Sequence, residues 1–254
     1  MRKVARDAVA RAGAPRRPSL RLIHGEELAA GPPEMPAAPS KRTRRAAGKP
    51  RDLAAVTPAA TGSRPPKLTE ALQKASRAID RGYEQEAVRI LRPLKDRHPT
   101  EGDVREMLGV ALYRLGRWAP ARKELEAFVE LTGSAIQHPV LMDCARALGR
   151  HSIVERLWEE LRAASPAAEV MTEGRIVAAG SLADRGRLQE AIKLLERGPL
   201  APRRIAEHHL RLWYALADLH ERAGDIPGAR FLFRKVSARD PAFVDVAERL
   251  AALS

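Results

Sequence analysis

Residues 112–133 read LYRLGRWAPARKELEAFVELTG. Gly116, Trp118, Ala121, Leu125 and Phe128 set small and large residues at helical intervals around a glycine. A glycine between two amphipathic stretches reads as a turn, because helices commonly end in a left-handed residue where a Cβ is penalised. One helix pair in a bundle would invite a search for an active site; one copy of a repeat would invite a search for a binding surface.

Four further breaks decide for the repeat. DRGYEQEA (80–87), ALGRHSIV (147–154), DRGRLQEA (184–191) and RAGDIPGA (222–229) join RLGRWAPA (114–121), with glycines at 82, 116, 149, 186 and 224. Their spacings of 34, 33, 37 and 38 mark one turn per unit. Each break lies between two amphipathic helices of three to four turns. The expected units are 68–101, 102–134, 135–171, 172–209 and 210–241, and 241–254 is a lone helix closing the exposed end. Asp225 is a candidate N-cap, with Pro227 in the first turn behind it.

The pattern resembles the tetratricopeptide repeat, W-x2-L-G-x2-Y, then A-x3-F, then P. The second unit matches at Leu108-Gly109, Leu112, Ala121 and Leu125; the fifth at Trp213, Leu216-Ala217, Ala229, Phe233 and Pro241. The first supplies Ala75, Ala87, Leu91 and Pro99, and the fourth Ala179, Leu182, Ala191 and Leu195. The third departs, with Met142 and Val154 in the small slots and a bulkier cluster with Cys144 and Trp158. The fourth lacks the terminal proline and carries a long linker, RGPLAPRR (197–204). The resemblance implies an all-α fold: an α-solenoid of about five helix-turn-helix repeats plus a C-terminal capping helix. It points to a bacterial type with a basic N-terminal extension.

That extension, 1–66, is rich in Pro, Ala and Arg, and residues 1–64 contain no Phe, Tyr or Trp. Such composition cannot bury enough apolar surface to offset ordering entropy, so it reads as a disordered tail before a repeat domain at 67–254. The formal net charge of the chain is +13. Residues 1–64 hold +9 of it, and the rest is nearly balanced at +4. Lys41, Arg42, Arg44, Arg45, Lys49 and Arg51 form an acid-free run, and SLRLIHGEEL (19–28) has the apolar content of a short docking motif. A solvated linker is the plainer reading of both. Arginine outnumbers lysine 36 to 9, which a GC-rich genome would also produce.

Chemistry is mostly not found. AAGKP (46–50) lacks the spacing of a phosphate-binding loop. His208 and His209 are adjacent, expected on different helix faces at the surface or an interface, and do not give a zinc geometry with His220. Cys144 reads as a small buried hydrophobe. No catalytic residue, cofactor or metal is implied, and the chain is expected not to be an enzyme. A single cysteine and no apolar run of about 20 residues suggest the cytoplasm, without a membrane contact.

In a solenoid of the resembled kind, the inner faces of the first helices line a groove where partners dock. The candidates are Leu72, Ser76, Ile79, Val110, Tyr113, Arg114, Asp143, Arg146, Ile176, Asp184, Tyr214, Asp218 and Arg222. Tyr113 and Tyr214 are expected to be exposed there, whereas Trp118, Trp158 and Trp213 are expected in the core. Chaperone-binding members of the family place asparagines where this chain has Ser76, Val110 and Asp143, so chaperone tails are not expected ligands. The leading expectation is a protein-protein adaptor that binds a peptide or helix of another protein. The alternative is a nucleic-acid- or ribosome-associated factor using the tail for sequence-independent phosphate contacts.

Overall fold

Every glycine break closes a helix in the same way. In the computed structural model, which describes residues 64–253, Gly116 has φ +69°, and its N–H donates to the Tyr113 carbonyl at 2.8 Å. The next N–H, of Arg117, reaches back to Leu112 at 2.9 Å. This double closure satisfies carbonyls that the helix end would leave bare, and it needs a left-handed residue. It recurs at Gly82, Gly149, Gly186 and Gly224, all with positive φ.

The closures join eleven helices among the described residues: α1 (Pro66–Asp80), α2 (Glu84–Arg97), α3 (Gly102–Arg114), α4 (Trp118–Thr132), α5 (His138–Ala147), α6 (His151–Ala164), α7 (Ala168–Asp184), α8 (Leu188–Glu196), α9 (Glu207–Arg222), α10 (Ile226–Ser237) and α11 (Val246–Ala252). Five pairs and a cap result. The first helix of each pair is called A and the second B. Asp225 caps α10 by accepting from the Gly228 N–H at 3.1 Å, and Pro227 lies in the first turn, as the sequence indicates.

The A helices touch one another along the array, and each B helix packs on its own A helix and on the next one. Among the described residues no two B helices pack extensively together. An array whose A layer is continuous and whose B layer is splayed curves toward A, so the A helices form the inner face.

The signature positions explain the packing. Ala87, Ala121, Ala191 and Ala229 have no exposure, nor do Leu91, Leu125, Leu195 and Phe233 four residues on. A Cβ on Gly109 would stand 2.6 Å from the Leu125 side chain, so only glycine lets α3 and α4 approach this closely. In the third pair Met142, Val154, Cys144 and Trp158 are all buried in the same slots. Helix α7 has no exposed residue from Glu169 to Ala183 and joins two clusters: Val170, Val177 and Ala178 pack backward, and Ile176, Ala179 and Ala183 pack forward.

Two sequence expectations are corrected. The fourth and fifth units begin earlier, at Ala168 and Glu207. The linker before α9 is long, as the sequence indicates, and runs from 197 to 206. The lone helix expected over 241–254 is only Val246–Ala252, because Val244 takes φ +50° and breaks the helix that Pro241 would start. The tail residues Lys41, Arg42, Arg44, Arg45, Lys49 and Arg51, and the stretch 19–28, lie outside the described residues.

Candidate binding face of the A helices

The candidate residues do share one face, but they meet one another more than they meet solvent. Leu72, Ile79, Val110, Tyr113, Asp143, Arg146, Ile176, Tyr214 and Asp218 are buried. Ser76, Arg114 and Arg222 are partly exposed, and Asp184 is exposed. The expectation of exposed tyrosines is therefore corrected: Tyr113 retains 1% of its surface and Tyr214 6%.

The reason is contact between successive repeats. Tyr113 of α3 donates its hydroxyl to Asp143 of α5 at 2.7 Å. Asp143 lies 3.5 Å from Arg146 one turn along, and Arg146 reaches α7 to donate to both oxygens of Asp184. Arg222 of α9 meets the Ala183 carbonyl at 3.4 Å, and Arg114 of α3 the Ile79 carbonyl at 2.9 Å. At the far end Tyr214 donates to Asp245, while Arg249 of α11 pairs with Asp218 at 2.9 Å and Glu221 at 2.6 Å. The inner face is a ladder whose rungs cross from repeat to repeat.

Electrostatics follow from that wiring. Burial disfavours the Arg146 charge, yet hydrogen bonds to Asp184 and the Asp143 charge outweigh it and hold the guanidinium above its ordinary range. Arg249 behaves alike: burial opposes its charge, and Glu221 and Asp218 overcome that. Burial, reinforced by Asp245, pushes the Tyr214 hydroxyl up. Glu106 on α3 is also raised, chiefly by burial, against a hydrogen bond from Gln137 at 2.7 Å.

Other sequence candidates fall in the core. Trp213 has no exposure, Trp158 is buried, and Trp118 packs partly buried with its ring 5.3 Å from that of Tyr113. Cys144 is fully buried, and burial raises its thiol far above a reactive range. His208 and His209 are buried, and their ring centroids lie 3.9 Å apart instead of on separate helix faces as expected. His209 accepts the Ala206 N–H at 2.9 Å. Among the described residues no three His, Cys, Asp or Glu groups converge to hold a metal, and no helix is long and apolar enough to cross a membrane.

Comparison with known proteins fits this geometry. A tetratricopeptide-repeat family model matches residues 210–253, the fifth pair and cap. No curated protein matches the sequence significantly. Among solved structures, TTC0263, a thermophilic TPR protein in Thermus thermophilus, aligns with TM-score 0.57 at 18% identity over 73% of this chain and 97% of its own. MamA from Desulfovibrio magneticus RS-1 gives TM-score 0.54 at 17% identity over 69% and 96%. A Podosopora anserina putative kinesin light chain with nearly identical TPR-like repeats gives 0.54 at 22% over 70% and 96%. The last pair and cap match the tetratricopeptide-repeat model, and the described residues share the all-α solenoid fold of solved tetratricopeptide-repeat structures.

Proposed function

We propose that this protein is a non-catalytic adaptor that docks a peptide or helical segment of another protein along the A-helix face. The fold is one used for protein-protein interaction, and the observation that carries the reading here is the polar ladder. Rungs such as Arg146–Asp184 fix one repeat against the next, so the face is ordered before a partner arrives. Preorganisation of that kind lowers the entropic cost of association. Ser76, Arg114, Asp184 and Arg222 are the candidate side chains left open to a ligand. Tyr113, Asp143 and Arg146 act by shaping the surface. A cytoplasmic location belongs to the same reading, since the single thiol is buried and takes no part in a disulfide.

The test is affinity purification of the full chain and of an Arg114→Glu/Arg222→Glu variant after nuclease treatment. The adaptor reading expects a discrete protein retained by the first and lost from the second. Recovery of no specific protein by the unaltered chain contradicts it. The second reading, nucleic-acid or ribosome association through the tail, rests on the net charge of +9 over residues 1–64. It expects ribonucleoprotein recovery that nuclease treatment removes.

A further inference from the structure

The near-neutral repeat body hides a local excess. The linker 197–206 and the stretch 226–239, which contains α10, hold Arg197, Arg203, Arg204, Arg230, Arg234, Lys235 and Arg239 without one acidic residue. The fold brings the two together. Lys235 donates to the Leu200 carbonyl at 2.7 Å, and the Trp213 indole N–H donates to the same oxygen at 3.2 Å. The Lys235 ammonium also stands 3.8 Å from the Trp213 ring centre, fixing the linker against α10. Arg203 and Arg204 lie within about 15 Å of Leu200 along even a fully extended chain.

Apart from Lys235 and Arg230, whose side chains bond the Leu200 and Leu253 carbonyls, these cations are not spent on internal contacts. Arg197, Arg203, Arg204, Arg234 and Arg239 are exposed, and their side chains make no hydrogen bond or ion pair among the described residues. The inner face contrasts with this, since almost every arginine there has a carboxylate or carbonyl partner. Positive charge extends toward α7 as well: burial, then Arg162 and Arg197, lower the guanidinium of Arg175.

Phe231 gives the patch a second property. It is 67% exposed, the most exposed large hydrophobic side chain among the described residues. On α10 it shares a face with Arg234 and Lys235, three and four residues on. An aromatic ring among free arginines, on an outer helix with no groove, suits a flexible polyanion whose phosphates meet guanidinium groups and whose bases stack. A rigid duplex would follow such a convex face poorly. In the cytoplasm proposed above, the abundant single-stranded phosphate polymer is RNA.

We infer that the outer face of the last two repeats, centred on Phe231 with Arg203, Arg204 and Arg234, is a sequence-tolerant binding surface for single-stranded RNA. It shares no residue with the A-helix candidates or with the tail. A partner protein held inside and RNA held outside would be brought together by one solenoid.

Fluorescence anisotropy with a labelled 20-nucleotide oligouridine and the full-length chain tests this across a salt series. Arg203→Glu/Arg204→Glu/Arg234→Glu is expected to weaken binding about tenfold or more and to make the log–log salt slope shallower by about 2. Phe231→Ala is expected to weaken it about 5- to 150-fold, as loss of one stacked base does, with the salt slope unchanged. The charge-matched control is Arg81→Glu/Arg117→Glu/Arg150→Glu, at exposed turn positions of the first three repeats, which should leave most of the affinity. Equal losses from the two triple variants would overturn the site, leaving only a net-charge effect. No loss from Phe231→Ala would overturn the stacking role. Tighter binding of the matching DNA or of a glutamate 20-mer would overturn the RNA assignment. Thermal melting of each variant shows that these solvent-facing changes leave the fold intact, and the assay is read on variants that melt with the parent.

Discussion

Arg146 lies at the centre of the inner face and grips Asp184 of the following repeat with two hydrogen bonds, 2.6 Å from Nε and 3.0 Å from Nη2. Its side chain and that of Asp143 each retain 2% exposure, so the pair is a buried charge cluster bridging three repeats through Tyr113, Arg146 and Asp184. Buried ion pairs add little over a well-packed apolar alternative, but breaking one strands the remaining charge.

Arg146→Ala should therefore destabilise the protein by about 3–5 kcal/mol, because Asp143 keeps its charge without its nearest cation. Replacing the buried set together, Tyr113→Phe/Asp143→Leu/Arg146→Met, should recover most of that loss. Urea unfolding followed by circular dichroism reads both. A triple variant as unstable as Arg146→Ala would show that the ladder stabilises beyond simple charge compensation.

Glu106 gives a pH signature. Its folded pKa is raised above 4.5 by burial, so ionising it costs more in the folded state than in the unfolded one. That penalty is fully present above the folded pKa and absent below about 4.5. Glu106→Gln keeps an acceptor for the Gln137 amide and should raise the melting temperature at pH 7, with the gain vanishing near pH 4. A gain of equal size at both pH values would contradict this assignment.

Arg249 is the charged anchor of the cap. Arg249 holds Asp218 and Glu221 from α11, and its guanidinium lies 4.8 Å from the Phe233 ring centre. Arg249→Ala leaves two nearly buried carboxylates facing each other across one turn. Amide hydrogen exchange over 241–253 should rise by at least about tenfold, while exchange in α1 to α4 stays as it was. Uniform acceleration along the chain would mean that the cap controls global unfolding.

Much of this architecture is legible in the sequence because the demands are local. The glycine at each turn is fixed by its own φ, and the alanines of the B helices by contact within a pair. The inner face was harder to read. Whether Tyr113 is exposed depends on Asp143, 30 residues away in another repeat, and no periodicity encodes that partner. The outer basic patch was hidden for another reason: a net charge of +4 averaged over the whole body masks two acid-free stretches that only the fold places side by side. The short cap depended on a single left-handed residue, Val244, which composition does not flag.

Site-specific photo-crosslinking in cells tests the adaptor claim most directly. A benzophenone amino acid is placed at position 76, in place of the partly exposed Ser76 of the A-helix face, and separately at position 89, in place of the exposed Arg89 of α2. A discrete protein adduct from position 76 and none from position 89 is the expected result. No adduct from position 76, or the same adducts from both, would contradict an A-helix docking face.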